Sequence, residues 1–257
     1  MLGAIAGDII GSVYETRPIK TTEFPLFVAR STFTDDTVLT IAVADAILTG
    51  LDYAQSLKEW GRRYPGAGYG GSFIHGLHAD DSQPYNSWGN GSAMRVSPVG
   101  WAFDSEPAVL AEAERTAAVT HNHPEGIKGA QATALAVYLA RRGHAKADIR
   151  QVISTNFGYD LSSTVAEVRP GYRVDVSCQG TVPAALLAFM EAVDVEHAIR
   201  LAISLGGDSD TLACISGSIA HAYYQRMPPA IETEVRHRLP ADMLAVLEDF
   251  TARYGGT

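Results

Sequence analysis

The chain has 257 residues and a formal charge of −9; 46% of it is hydrophobic and 19% charged, the balance of an ordinary globular protein with length enough for a substantial core. No run of Lys or Arg exceeds a pair, so the basic face of a nucleic-acid binder is missing. The two cysteines, Cys178 and Cys214, form neither a disulfide framework nor a zinc signature, and no stretch is long and uncharged enough to span a bilayer.

The first segment, "GAIAGDIIGSVYE", is apolar but interrupted by Asp8, and it lacks the basic flank of an export signal. A reduced, cytoplasmic setting is expected. Gly3, Gly7 and Gly11 recur every four residues and share one helical face, the pattern of close helix packing. Glu15, at the end of the segment, is a candidate acid, base or gate. Residues 16–33 read as a loop. "DDTVLTIAVADAILTG" then reads as a helix with an acidic head, stopped by Gly50.

Residues 64–98 are rich in Gly, Ser and Asn and read as a second, longer loop; one this long in a compact domain is usually functional. It contains "NSWGNGSAMR", a Gly–Asn–Gly turn whose backbone N–H groups suit phosphate. Trp88 beside the turn either stacks on a base or packs. "EPAVLAEAERTAAVTH" and "GIKGAQATALAVYLARRG" are Ala-rich helices. Between them "THNHPEG" offers His121 as a hydrogen-bonding or stacking contact to a ligand, and His123 as a cap before Pro124.

After a third loop at 157–180 come "PAALLAFMEAV", "VEHAIRLAISLGG", "DSDTLACISGSIAHAYYQ" and "ADMLAVLEDFTARYG", all with helical periodicity. Several are apolar on more than one face, which predicts interior helices. Strand-type alternation, repeats and compositional breaks are all missing. The expectation is one all-α domain over residues 1–257 with long functional loops.

Two acidic clusters carry the chemistry. "FTDDT" holds Asp35 and Asp36, and "GGDSDT" holds Asp208, Asp210 and Thr211, each at the head of an apolar helix. One side chain suffices to cap a helix. Several carboxylates exceed that need, and carboxylates with hydroxyls are hard-oxygen ligands suited to Mg²⁺ or Mn²⁺. Neighbouring helical residues point about 100° apart. Asp35 and Asp36 are therefore expected at a non-helical start, facing two ions or one ion and a ligand. Asp208 and Asp210 converge if the chain there is extended.

"GAIAGDIIGSVYE", "FTDDT", "SWGNGSAMRV", "THNHPEGIKGAQA" and "GGDSDTLACISGSIAHAYY" together resemble the ADP-ribosylglycohydrolases of the dinitrogenase-reductase-activating type, over nearly the whole chain. The resemblance implies a compact all-α fold with two Mg²⁺ or Mn²⁺ ions in a cleft. It implies Thr34, Asp35, Asp36, Asp208, Asp210 and Thr211 as metal ligands, with Asp210 shared by both ions. Glu15 matches the family's gating or catalytic glutamate, with Asp35 and Asp36 as further catalytic candidates. Ser87, Trp88, Gly89, Asn90 and Gly91 match its ADP-ribose loop, and His121 its ligand-contacting histidine. The implied activity is metal-dependent hydrolysis of the N- or O-glycosidic bond that joins ADP-ribose to a substrate such as a protein, by a monomer. The alternative is a weakly catalytic ADP-ribose-binding or structural member of the family.

Overall fold

A computed structural model describes residues 1–79 and 83–255. The helices among the described residues are α1 Leu2–Gly11, α2 Asp35–Thr49, α3 Tyr53–Arg63, α4 Gly71–His78, α5 Gly91–Met94, α6 Ser97–Ala102, α7 Glu106–Ala118, α8 Pro124–Arg141, α9 Lys146–Phe157, α10 Val165–Val168, α11 Cys178–Glu191, α12 Val195–Ser204, α13 Ser209–Tyr224, α14 Pro229–Arg238 and α15 Ala241–Tyr254. No strand occurs among the described residues beyond a single antiparallel bridge between Gly89 and Ser177. The all-α expectation holds.

The glycine stripe sets the centre of the fold. α1 lies against α13 so closely that a Cβ at Gly3 would sit 2.2 Å from the Gly217 carbonyl oxygen, and one at Gly7 2.0 Å from that of Ala213. At Gly11 it would meet the Asp210 Cα at 2.5 Å. Only bare backbone fits there, so the stripe fixes α1 in register with the head of α13. Around this pair α2, α8, α11 and α12 contribute a continuous core that includes Ile5, Ile9, Ile41, Leu135, Leu186, Phe189 and Ile199. α2, α8, α11 and α13 are buried along most of their length, as their all-round apolar character predicts. α2 ends where expected, at Gly50 in the left-handed conformation (φ 77°).

The loops are more ordered than their composition suggests. The 64–98 stretch contains α4, α5 and the start of α6, and the 157–180 stretch contains α10 and the first turn of α11. Runs of four to eight residues are too short to display a helical period, and glycine weakens the signal further. Pro183 is not the start of its helix. The Ser177 hydroxyl accepts the Gly180 N–H at 3.1 Å and begins α11 five residues earlier.

Candidate active site

The heads of α2 and α13 meet at the end of α1, and a buried aspartate of α1 ties down the first of them. Asp8 accepts the N–H (2.9 Å) and hydroxyl (2.7 Å) of Thr34, the N–H of Thr37 (3.1 Å), and the Thr37 hydroxyl. Four donors from the α2 head thus converge on one carboxylate of α1. Burial raises the Asp8 pKa and these bonds oppose the rise. Sequence reasoning took Asp8 only as a break in an apolar segment. The available signal was a lone acid in a helix that is otherwise apolar and glycine-lined.

At α2 another group does the capping, which leaves Asp35 and Asp36 to a different task. Thr34 is the N-cap of α2, its hydroxyl accepting the Asp36 N–H at 3.3 Å. Asp35 and Asp36 lie inside the first helical turn rather than in the non-helical start expected. Asp208 stands at the N-cap of α13 but makes no side-chain cap bond. Its Oδ2 instead accepts the Asn90 side-chain N–H at 2.6 Å. Asp210 lies in the first turn of α13, so the two aspartates converge across a helix start, not along an extended strand. His123 caps α8 as expected, its Nδ1 accepting the Glu125 N–H at 3.1 Å.

Carboxylate oxygens of Glu15, Asp208 and Asp210 lie within 4.8 Å of one another. Asp36 is opposite, its Oδ1 accepting the Thr211 hydroxyl at 3.2 Å. Asp35, Asp36 and Thr211 line the same cleft, a cavity of about 320 Å³. Thr34, expected among the ligands, does not line this cleft: its hydroxyl is engaged with Asp8 and the Asp36 N–H, and it borders a neighbouring depression beside Arg30 and Gly68. Glu15 thus joins the carboxylate cluster itself, four residues beyond the end of α1.

The donor set fits divalent cations. Burial, then the neighbouring Asp8, pushes the Asp35 carboxyl up to about 7. Asp36 and Asp210 are driven well above the usual carboxylate range by burial, with Asp210 and Asp208 respectively as the main like charges. Glu15 is raised by burial and by Asp208 and Asp8. Asp36 Oδ2 is buried with no hydrogen-bond partner among the described residues. Like charges gathered out of water, one of them with an unsatisfied oxygen, are tolerable only when protons or a cation offset them. The donors are all oxygen, a set that suits hard cations such as Mg²⁺ or Mn²⁺ better than softer metals.

The far side of the cleft is the Ser87–Gly91 loop. It is held by Asn90 N–H to the Val176 carbonyl (2.8 Å), Cys178 N–H to the Trp88 carbonyl (2.9 Å) and Gly89 N–H to the Ser87 hydroxyl (3.1 Å). The backbone N–H groups of Gly89 and Asn90 are therefore already engaged in the loop. Ser87, Gly89, Asn90, Gly91 and His121 line the cleft together with Arg95 and Tyr85. Asn90 also donates to the Thr181 hydroxyl at 3.1 Å, so its two bonds brace the loop against the carboxylates. Trp88 does not line this cleft. It is 54% exposed, tilted against His123 at 5.6 Å, on the outer rim. The aromatics that do line it include Phe73 and Tyr85, the latter 6.1 Å from the His121 ring. Tyr85 and Arg95 carried no sequence signal beyond closeness to the Gly–Asn–Gly turn.

The profile of the ADP-ribosylglycohydrolase family matches residues 1–256. ADP-ribosylhydrolase ARH3 of Danio rerio is 27% identical, over 75% of this chain and 70% of its own. The Mus musculus ARH3 is 24% identical over 95% and 88%. ADP-ribosylarginine hydrolase Tri1 of Pseudomonas putida is 26% identical over 89% and 71%. A solved structure described as an ADP-ribosylglycohydrolase-related protein complex superposes with a TM-score of 0.70 at 26% identity, covering 98% of this chain and 97% of that one. The chain belongs to the ADP-ribosylglycohydrolase family.

Proposed function

We propose that this family member is a Mg²⁺- or Mn²⁺-dependent hydrolase that releases ADP-ribose from a modified substrate by cleaving its glycosidic bond. The observation that carries the reading is the Asn90–Asp208 hydrogen bond of 2.6 Å. It ties a hard-oxygen cluster, suited to ions that engage the diol of a ribose, to a glycine loop that leaves room for a pyrophosphate beside the His121 ring and Arg95. ADP-ribose has both groups, a short distance apart.

Thr34, Asp35, Asp36, Asp208, Asp210 and Thr211 would hold two ions, with Asp210 shared. Bound there, such ions supply charge neutralisation, orientation of the ribose hydroxyls and a water of lowered pKa. The chain's own residues do the rest. The Ser87–Gly91 loop and His121 hold the phosphate end and so orient the anomeric carbon over the carboxylates. Glu15, at the open side of the cluster, has a raised pKa and can carry a proton to or from the bond being broken. The oxocarbenium character of such transition states is stabilised by the surrounding negative carboxylates.

The family names two kinds of relative that bear on linkage, and the arginine-linked substrate of the Tri1 name is the first to try. The test is a panel of arginine-linked, serine-linked and O-acetyl ADP-ribose with Mg²⁺, Mn²⁺ or chelator, read as released ADP-ribose. Metal-dependent release from at least one is expected. Tight retention of ADP-ribose without turnover of any would replace the hydrolase with a binding module. Full activity after verified metal removal would sink the role given to the carboxylates.

A further inference from the structure

Arg95 is fully buried directly after α5, beneath the glycine loop, and lines the cleft. One nitrogen of its guanidinium donates to the Thr116 carbonyl (2.9 Å) and to the Thr120 hydroxyl (2.7 Å). Its Nε and Nη1 have no partner among the described residues. Burying a cation with two nitrogens unbonded is unfavourable, and an apolar side chain of similar volume would pack against α7 as well. The charge bears directly on Thr120.

Thr120 is the hinge of a short chain of hydrogen bonds. Its Oγ1 stands 2.7 Å from Nδ1 of His121. A guanidinium only donates, and a hydroxyl has two lone pairs and one proton. Arg95 fills one lone pair, and accepting from a cation makes the hydroxyl a better donor and a poorer acceptor. This favours the arrangement in which the Thr120 proton is directed at His121 Nδ1 and the ring's own proton resides on Nε2. That edge faces the loop: a Cβ at Gly91 would lie 3.1 Å from Nε2, and one at Gly89 3.6 Å.

We infer that Arg95, acting through Thr120, is a positioning residue that fixes His121 as its Nε2–H tautomer and aims one neutral N–H donor at the ligand face of the Ser87–Gly91 loop. Burial and the Arg95 charge both hold the His121 pKa well below its ordinary value, consistent with a ring that stays neutral. The partner this donor suits is an acceptor oxygen, and on the hydrolase reading above, on which this assignment of the partner rests, it belongs to the pyrophosphate. Gly91 follows from the same geometry, since any side chain there would press on the imidazole.

The test uses the full chain labelled with ¹⁵N-histidine. Long-range ¹H–¹⁵N correlations of His121 in the wild type should report a protonated Nε2 and an acceptor Nδ1. Thr120→Val removes the hydroxyl at nearly constant volume; it should shift the Nδ1 resonance toward that of a nitrogen without a donor and weaken ADP-ribose binding by about tenfold, with bound metal unchanged. Thr120→Ser restores the hydroxyl and should restore both. Arg95→Met should disturb the Nδ1 resonance in the same direction. Protonated Nδ1 in the wild type would overturn the inference. So would Thr120→Val with the wild-type resonance and affinity. If the wild type binds no ADP-ribose, the hydrolase reading fails, while the tautomer signals still decide the relay independently.

Discussion

Replacing Asp210 with Asn should have opposite effects on stability with and without divalent metal. Asp208 and Asp210 are both buried, with carboxylate oxygens no more than 4.8 Å apart. Two unit charges at that separation repel by about 3.5 kcal/mol at an effective dielectric of about 20. Against this stands the favourable interaction of Asp210 with the N-terminus of α13, worth about 1 kcal/mol. The metal-free variant should therefore gain roughly 2 kcal/mol where the carboxyls are ionised, a rise of about 4–8 °C in melting temperature for a chain of this size. The gain depends on pH in a defined direction. Asp35, Asp36 and Asp210 have folded pKa values raised above those of the unfolded chain, so the native state binds their protons more tightly. Their contribution is complete below the ordinary aspartate value of about 4 and is lost as pH rises through the folded values. For Asp35 that value is about 7. Metal-free wild type should weaken across this window, the variant should weaken less, and the two curves should approach one another near its acidic end. Excess Mg²⁺ or Mn²⁺ should reverse the order, because a ligand present at a hundred times its Kd adds about 2.7 kcal/mol to a state that binds it. Calorimetric melts with chelator and with metal, at both ends of the window, read all of this, and elemental analysis gives the metal bound. A metal-free variant less stable than wild type at alkaline pH would refute the like-charge account. Full metal stabilisation of Asp210→Asn would refute its role as the shared ligand.

Gly7→Ala places a methyl 2.0 Å from a backbone carbonyl oxygen of α13, which cannot rotate away. A loss near the upper end of the ~1–3 kcal/mol range for overpacking is expected in denaturant titration, and a change under 0.5 kcal/mol would show that α1 and α13 separate easily. Glu15→Gln should lower kcat by about tenfold to a thousandfold with little change in KM; an unaltered kcat at saturating substrate would remove Glu15 from the chemistry. Trp88→Ala should change ADP-ribose affinity by less than about threefold while Tyr85→Ala costs about tenfold, the scale of one aromatic contact. Titration calorimetry giving the reverse order would move the ligand to the outer rim.

The local content of this protein was legible residue by residue. Helical periodicity identified the interior helices, the glycines every four residues announced a backbone contact, and paired acids at two helix heads announced more charge than capping needs. Each is a pattern within one turn or one helix face, where chain geometry alone fixes which side chains are neighbours. What the linear order did not contain is the register between helices. Gly11 packed on the Asp210 backbone brings Glu15 within 4.8 Å of Asp208 and Asp210, residues nearly two hundred positions away. The same packing turns Asp8 from an interruption into the acceptor of four α2 donors. Trp88 and Tyr85 are three residues apart in one loop, and only its pairing to Val176 and Cys178 decides which of the two rings faces the cleft. Arg95 looked like any arginine after a turn; its burial beneath Thr120 depends on how α5, α7 and the glycine loop stack. Side-chain chemistry is set by residue type, but the field that tunes it comes from charges distant in sequence, and only the tertiary packing determines which charges those are.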